Sequence, residues 1–188
     1  MDRVRKLRWL PAALVAAALA ATLALAACGA EEDKVEGAEG EFISVGNDVE
    51  YQVQLTRLLN PQQRPDDDFI RGQAALPARE VYLGVFLKIE NDGDKPYTPP
   101  RDMRVVDTQG NEYLPLGTVQ SSFGLDFGTP IPAGDVAPPP SSPASFSPTS
   151  GAMVLFRIKE ESATDNLPLV LEIPREGQEE PARITLDV

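Results

Sequence analysis

Past residue 40 the chain alternates apolar and polar residues with a period of two, and prolines punctuate it almost to the end. Val49, Tyr51, Val53 and Leu55 interleave with Glu50, Gln52, Gln54 and Thr56. Val81, Leu83, Val85, Leu87 and Ile89 form a longer stripe, followed by Val154, Phe156 and Ile158, then Leu169, Leu171 and Ile173, and finally Ile184, Leu186 and Val188. Successive side chains of a strand point to opposite faces, so each stripe predicts a strand with one dry and one wet face. Of the 18 prolines, all but Pro11 lie beyond residue 60. Proline removes a helix hydrogen bond and clashes with the preceding turn, so these prolines interrupt nearly every helical candidate. Asn91-Asp92-Gly93-Asp94 supplies a turn, because Asn, Asp and Gly tolerate positive φ. The segments 102–107 and 112–116 flank Thr108-Gln109-Gly110-Asn111 as a hairpin. Short alternating strands with turn signals between them predict an all-β chain, an antiparallel β-sandwich over residues 41–188.

Two connections break this rhythm. Residues 60–79 form one, and residues 117–151 a longer one with the Pro/Ser-rich centre APPPSSPASFSP. Connections of this length in a compact domain carry function or move. Pro138-Pro139-Pro140 favours polyproline II geometry, which stiffens the loop. The longer loop is therefore the expected seat of recognition. A Gly/Ser replacement of residues 136–148 is expected to leave the fold nearly intact, since changes of loop composition cost little.

The composition excludes several chemistries. The chain has no histidine and one cysteine, so a Ser-His-Asp or Cys-His site, a His- or Cys-built zinc site and an internal disulfide are all impossible. With 29 acids against 17 bases the net charge is −12. An acidic chain lacks the basic footprint that a phosphate backbone demands, so nucleic acid is not an expected partner.

The amino terminus reads as a lipoprotein signal peptide, residues 1–27. Arg3, Arg5, Lys6 and Arg8 precede an apolar run from Trp9 to Ala27. The run ends in Leu25-Ala26-Ala27-Cys28, which resembles the lipobox of bacterial prolipoproteins. That resemblance implies diacylglycerylation of the Cys28 thiol, palmitate-type acyl chains on the mature terminus, and cleavage just before the cysteine. Two or more acyl chains give stable anchoring where one is marginal. The implied location is the extracytoplasmic face of a bacterial cell membrane. Removing residues 1–27 leaves 28 acids against 13 bases, a net charge of −15. Residues 28–40, beginning at the lipidated cysteine, are acidic and glycine-rich and carry almost nothing to bury, so they read as a disordered tether.

The run from Leu87 through Asn91-Asp92-Gly93 to Pro96, the segment from Val105 through Asp107-Thr108-Gln109-Gly110 to Tyr113, and Val154-Leu155-Phe156 together resemble a known pattern. They are similar to the immunoglobulin-like domain of unknown function found in bacterial lipoproteins, related to a secreted immunogenic β-sandwich protein of mycobacteria. The resemblance covers about residues 42–188 and implies an immunoglobulin-like sandwich. It departs from that pattern in the long Pro/Ser insertion. It brings no catalytic residues and no cofactor.

Some side chains invite a functional reading. Asp66, Asp67 and Asp68 form the densest acidic cluster, a weak candidate for Ca2+ or else a solvated loop. Tyr82 and Phe86 fall on the nominally wet face of their strand, where they either mark a binding surface or lie beneath a covering layer. Phe123 and Phe127, inside the long loop, either tuck it onto the sandwich or form a contact patch. The function these features favour is a non-enzymatic binding or interaction module of the cell envelope, anchored through Cys28 beside another envelope protein or polymer. A Ca2+-binding or solute-scavenging lipoprotein is the alternative, and an envelope hydrolase using paired carboxylates stands behind it.

Overall fold

The structure is a computed structural model that describes residues 33–117 and 119–188. Residues 1–32 lie outside that description, and with them the signal peptide, the lipobox residues Leu25, Ala26 and Ala27, Cys28, and the start of the expected tether. Among the described residues ten strands and three short helices follow one another: β1 (Glu36–Ala38), β2 (Phe42–Gly46), β3 (Val49–Leu59), α1 (Asp66–Phe69), β4 (Glu80–Asn91), β5 (Arg104–Val106), β6 (Glu112–Tyr113), β7 (Asp135–Ala137), α2 (Pro143–Phe146), β8 (Ala152–Lys159), α3 (Glu160–Thr164), β9 (Leu169–Ile173) and β10 (Ala182–Leu186).

The strands form two sheets. The first has the order β1-β10-β9-β5-β6, and the second β2-β3-β4-β7 with β8 also on β4. β4 is the spine of the second sheet. β3 pairs along one edge of it, while β8 takes Glu80–Leu87 and β7 takes Ile89–Asn91 on the other. Every pairing is antiparallel except β1 with β10. The dry stripes meet between the sheets: Tyr51, Leu83, Leu87, Ile89 and Phe156 from one, Val105, Leu169, Leu171, Ile173 and Ile184 from the other. Each such side chain, once fully buried, contributes about 1.5–3 kcal/mol. The expected β-sandwich is therefore present.

Three local expectations are corrected. Residues 33–40, expected in the tether, are ordered around β1. Val35 O accepts from Arg183 N at 2.9 Å, Glu39 N donates to Thr185 O at 2.9 Å, and the Glu39 carboxylate accepts Thr56 N at 3.0 Å. Strand pairing there uses backbone groups and one carboxylate, which a reading based on apolar content does not register. Leu55 leaves the Val49-Tyr51-Val53 stripe, because a bulge shifts the register between Val53 and Leu55. One extra residue turns every later side chain to the opposite face. Finally, the outer face of the second sheet is dry. Leu59, Tyr82, Phe86, Met153 and Leu155 form a second apolar cluster there with Phe69 and Ile70 from the 60–79 connection. Leu76, Leu116, Val119 and Phe123 close over it.

Candidate functional site

The 117–151 segment is built onto the sandwich at several points. Leu125 N donates to Met153 O at 2.8 Å and Met153 N to Phe123 O at 2.6 Å, so residues 123–125 run along the free edge of β8. Tyr97 and Ile131 exchange backbone hydrogen bonds at 2.9 and 2.7 Å. Asn91, buried at the end of β4, donates its amide to the carbonyls of Lys95, Ile131 and Pro132, each at 2.9 Å, and accepts from Gly93 N at 3.3 Å. The Asn that ends the strand thus ties the following turn to the long loop. β7 then joins β4, and α2 is secured by the Ser145 hydroxyl, which lies 2.8 Å from the carbonyls of both Pro140 and Ser142.

Between these anchored stretches lies a groove of about 410 Å3. One wall comes from residues 124–132, the other from residues 135–144, and Ala152 adds the start of β8. Leu125, Ile131, Ala137, Ala144 and Ala152 are all buried. Three of those five are alanines, so the walls stop short of filling the space between them. Six of the lining residues are prolines, which hold fixed backbone angles and offer carbonyl acceptors with no N–H. The volume falls within the roughly 300–1,000 Å3 of ligand sites.

Two carboxylates belong to the groove. Asp126 accepts from the Thr129 hydroxyl at 2.6 Å and from Gly128 N at 2.7 Å. The Thr129 hydroxyl, these backbone N–H groups and the nearby Arg101 hold its carboxyl below the usual range, against a small opposing effect of burial. Asp135 is exposed and makes no ion pair or side-chain hydrogen bond among the described residues. Phe146 stands on α2 with 78 % of its surface exposed.

The residues singled out from the sequence fall differently. Tyr82 and Phe86 are 3 % and 0 % exposed, so they are no binding surface. The covering layer expected as the other possibility is present: Phe69 packs edge-on against Phe86 at 5.2 Å, and the Tyr82 hydroxyl donates to Ala74 O. Phe123 packs edge-on against Phe69 at 5.0 Å. Phe127 is half-buried against the main core, with the Arg101 guanidinium 5.6 Å from its ring centre. Both phenylalanines tuck the loop down rather than present it. Asp66, Asp67 and Asp68 do not converge. Asp66, 3 % exposed, accepts from Arg57 at 2.6 Å and from Asn60 N at 2.9 Å, while Asp67 faces Arg64 and Asp68 pairs with Arg71. Among the described residues no group of three metal-ligating side chains comes together.

The groove lies in the segment singled out from the sequence, but its lining is not the pair of aromatics singled out there. Leu125, Ile131 and Asp135 gave no periodic signal, because they sit in a stretch without regular repeat. One signal was readable: residues 117–151 contain two acids and no Lys or Arg.

A second depression, also about 410 Å3, lies on the first sheet among charged side chains. Across that sheet Glu36, Arg183, Glu172, Arg104 and Glu112 alternate in sign on successive strands. Glu172 is shared between Arg104 at 2.8 Å and Arg183 at 3.1 Å, and the outer pairs span 3.8 Å. Glu172 and Arg104 thus satisfy one another there, whereas Arg175, which also lines the depression, makes no ion pair among the described residues.

The same two-sheet arrangement occurs in a crystal structure of an uncharacterized β-sandwich protein from Clostridium difficile 630, with a TM-score of 0.50 at 14% identity, over 83% of this chain and 95% of that one. The chain is a β-sandwich. No protein-family model matches it, and no curated protein does. At this identity the likeness is one of fold alone.

Proposed function

We propose that this β-sandwich is a lipid-anchored binding module of the bacterial cell envelope, held at the extracytoplasmic face through Cys28. The groove framed by residues 124–132 and 135–144 is its contact site. The observation that carries the binding reading is this groove: an apolar, proline-walled depression on an anchored loop, left unfilled by alanines at Ala137, Ala144 and Ala152. A rigid sandwich can hold such a loop without its variation dismantling the core. The anchoring reading rests on the Leu25-Ala26-Ala27-Cys28 box, its basic and apolar prelude, and the resemblance to lipoprotein domains of the immunoglobulin-like class.

Two measurements test the two halves. Cys28→Ala removes the only thiol of the chain. It is expected to abolish incorporation of labelled fatty acid and signal cleavage in the producing cell, and a variant that still takes up the label refutes the anchor. For the binding half, a photo-crosslinking residue is placed in intact cells at Val136 or Ser142, which line the groove, or at Thr185 on the first sheet. A discrete product is expected from the groove positions and not from Thr185. Equal products from all three positions would show that the groove is no site.

A further inference from the structure

We propose that the groove takes a cationic peptide segment: an aliphatic or proline-bearing stretch of a partner protein with a Lys or Arg beside it. This rests on the binding reading above and adds the chemistry of the occupant.

The walls set the first requirement. Leu125, Ile131 and the prolines offer apolar contact, so part of the occupant is apolar. The prolines contribute carbonyl oxygens and no N–H groups, and the carboxylates of Asp126 and Asp135 are also acceptors. Ser122, Thr129 and Ser142 add hydroxyls that both donate and accept, but every charged group in the lining is an acceptor, and these pair with an occupant that brings donors. Peptide N–H groups, an ammonium or a guanidinium supply them, and the last two form the stronger, charge-assisted bonds.

Charge sets the second requirement. Residues 117–151 carry Asp126 and Asp135 and no base. The Asp126 carboxylate is already held by Thr129 and Gly128 and has the Arg101 guanidinium nearby, whereas the exposed Asp135 makes no ion pair or side-chain hydrogen bond among the described residues and is the carboxylate left for an occupant. From Cys28 onward the chain carries a net charge of −15, so the surrounding field adds to the local one. A depression with low-dielectric walls and one sign of charge concentrates that field and raises the local concentration of the opposite sign. An acidic segment meets repulsion in the same place.

The third consideration is entropy. The loop is held by Asn91, by the Tyr97–Ile131 pairing and by the β8 edge, and its prolines fix much of the backbone. A preorganised wall loses little freedom on binding, so a short segment suffices.

The test uses the full chain in nanodiscs of neutral phosphatidylcholine, so that the lipid itself does not recruit a basic peptide. Leu, Ile and Val methyl groups are isotopically labelled. Three synthetic peptides share one Pro/Leu sequence and differ only in carrying Arg, Ser or Glu pairs. The expected result is a methyl shift at Leu125, Ile131 and Val136 with the Arg peptide, which binds about tenfold or more tightly than the Glu peptide and weakens at high salt. Asp135→Asn is expected to weaken the Arg peptide about two- to fivefold, the range of an exposed charge contact, with an unchanged melting curve. Equal affinity for the three peptides overturns the cationic occupant and leaves the groove as an apolar site. Shifts confined to methyl groups elsewhere on the sandwich overturn the groove itself. No shift with any peptide overturns the proposal of a peptide occupant. Should Asp135→Asn fail to fold, the unmodified protein with the three peptides still decides.

Discussion

Asp107 accepts five hydrogen bonds with two oxygens: from Gln109 N, from both the backbone N–H and the amide of Asn111, from the Ser162 hydroxyl at 2.6 Å and from the Asn166 amide at 3.3 Å. Because Ser162 donates to the carboxylate, the Tyr113 hydroxyl at 2.7 Å donates to Ser162, and the chain of donors ends on a negative charge. Ser162 is 0 % exposed, so the network locks the β5–β6 turn onto α3 from within. Burial opposes ionisation of Asp107, yet the hydrogen bonds from Ser162, Asn111 and Asn166 outweigh it and hold the carboxyl well below its ordinary 3.8. A depressed folded value contributes stability that is fully present above the unfolded value and is lost as pH falls through the folded one. Asp107→Asn is therefore expected to cost about 2–3 kcal/mol at neutral pH, as hydrogen bonds to a charged group are removed. The gap between variant and wild type narrows as pH drops below about 4. Urea melts at pH 7 and pH 3 check it, and a gap that stays constant between them refutes it. At the same scale, Gly151 has a backbone reason to be glycine. A Cβ there would lie 2.9 Å from Leu87 N and 2.9 Å from Phe86 C, where β8 begins against β4.

At the scale of elements, the 60–79 connection is a cover and not a linker. α1 carries Phe69 into the cluster of Phe86 and Phe123, and Asp66 anchors its start on Arg57 of β3. The bulge in β3 makes this possible, since it turns Leu55, Arg57 and Leu59 outward to meet the cover. Phe69→Ala empties the middle of the second cluster, and truncation of a buried Phe costs about 3–5 kcal/mol. The expected outcome is a loss of that size in urea melts, with faster hydrogen exchange in the outward-facing half of β4. A loss under about 1 kcal/mol would show that the cover rests on the sheet without supporting it. The outward side chains were the part of the pattern that left two readings open, a binding surface or a covered face. Tyr82, Phe86 and Leu155 alternate with the main-core stripe and read as a wet face. Period two reports which residues share a face, and it is silent on what lies above that face.

For the whole molecule, the long Pro/Ser loop is no detachable spacer. Ala137 pairs with Ile89, and Ala137 and Ala144 are buried. Replacing residues 136–148 by a Gly/Ser linker removes β7 pairings and that burial together. The expected cost is at least about 2 kcal/mol, a fall in melting temperature of about 4–8 °C for a domain of this size. An unchanged melting curve would restore the spacer reading. The contrast with the near-neutral outcome expected from loop entropy alone is physical: closure entropy treats a loop as free chain, and this one makes backbone and core contacts along its length.

What the sequence by itself determined is the main strands and the inner faces they turn toward each other. The alternation at Val81–Ile89, Val154–Ile158, Leu169–Ile173 and Ile184–Leu186 is local information, and the hydrophobic effect converts it directly into two packed sheets. The same holds for Asn91 and Asp107, whose turn-forming chemistry is short-range. Only the tertiary structure decided the rest. β1 finds β10 across almost the whole described chain, a pairing that depends on backbone groups identical in every residue. Tyr82 and Phe86 become core only because a connection folds over them. The groove exists only because residues 124–132 and 135–144 are pinned to β4 and β8 with alanines between them. Each of these rests on contacts between residues far apart in sequence, and no periodicity within one segment encodes which distant segment will arrive.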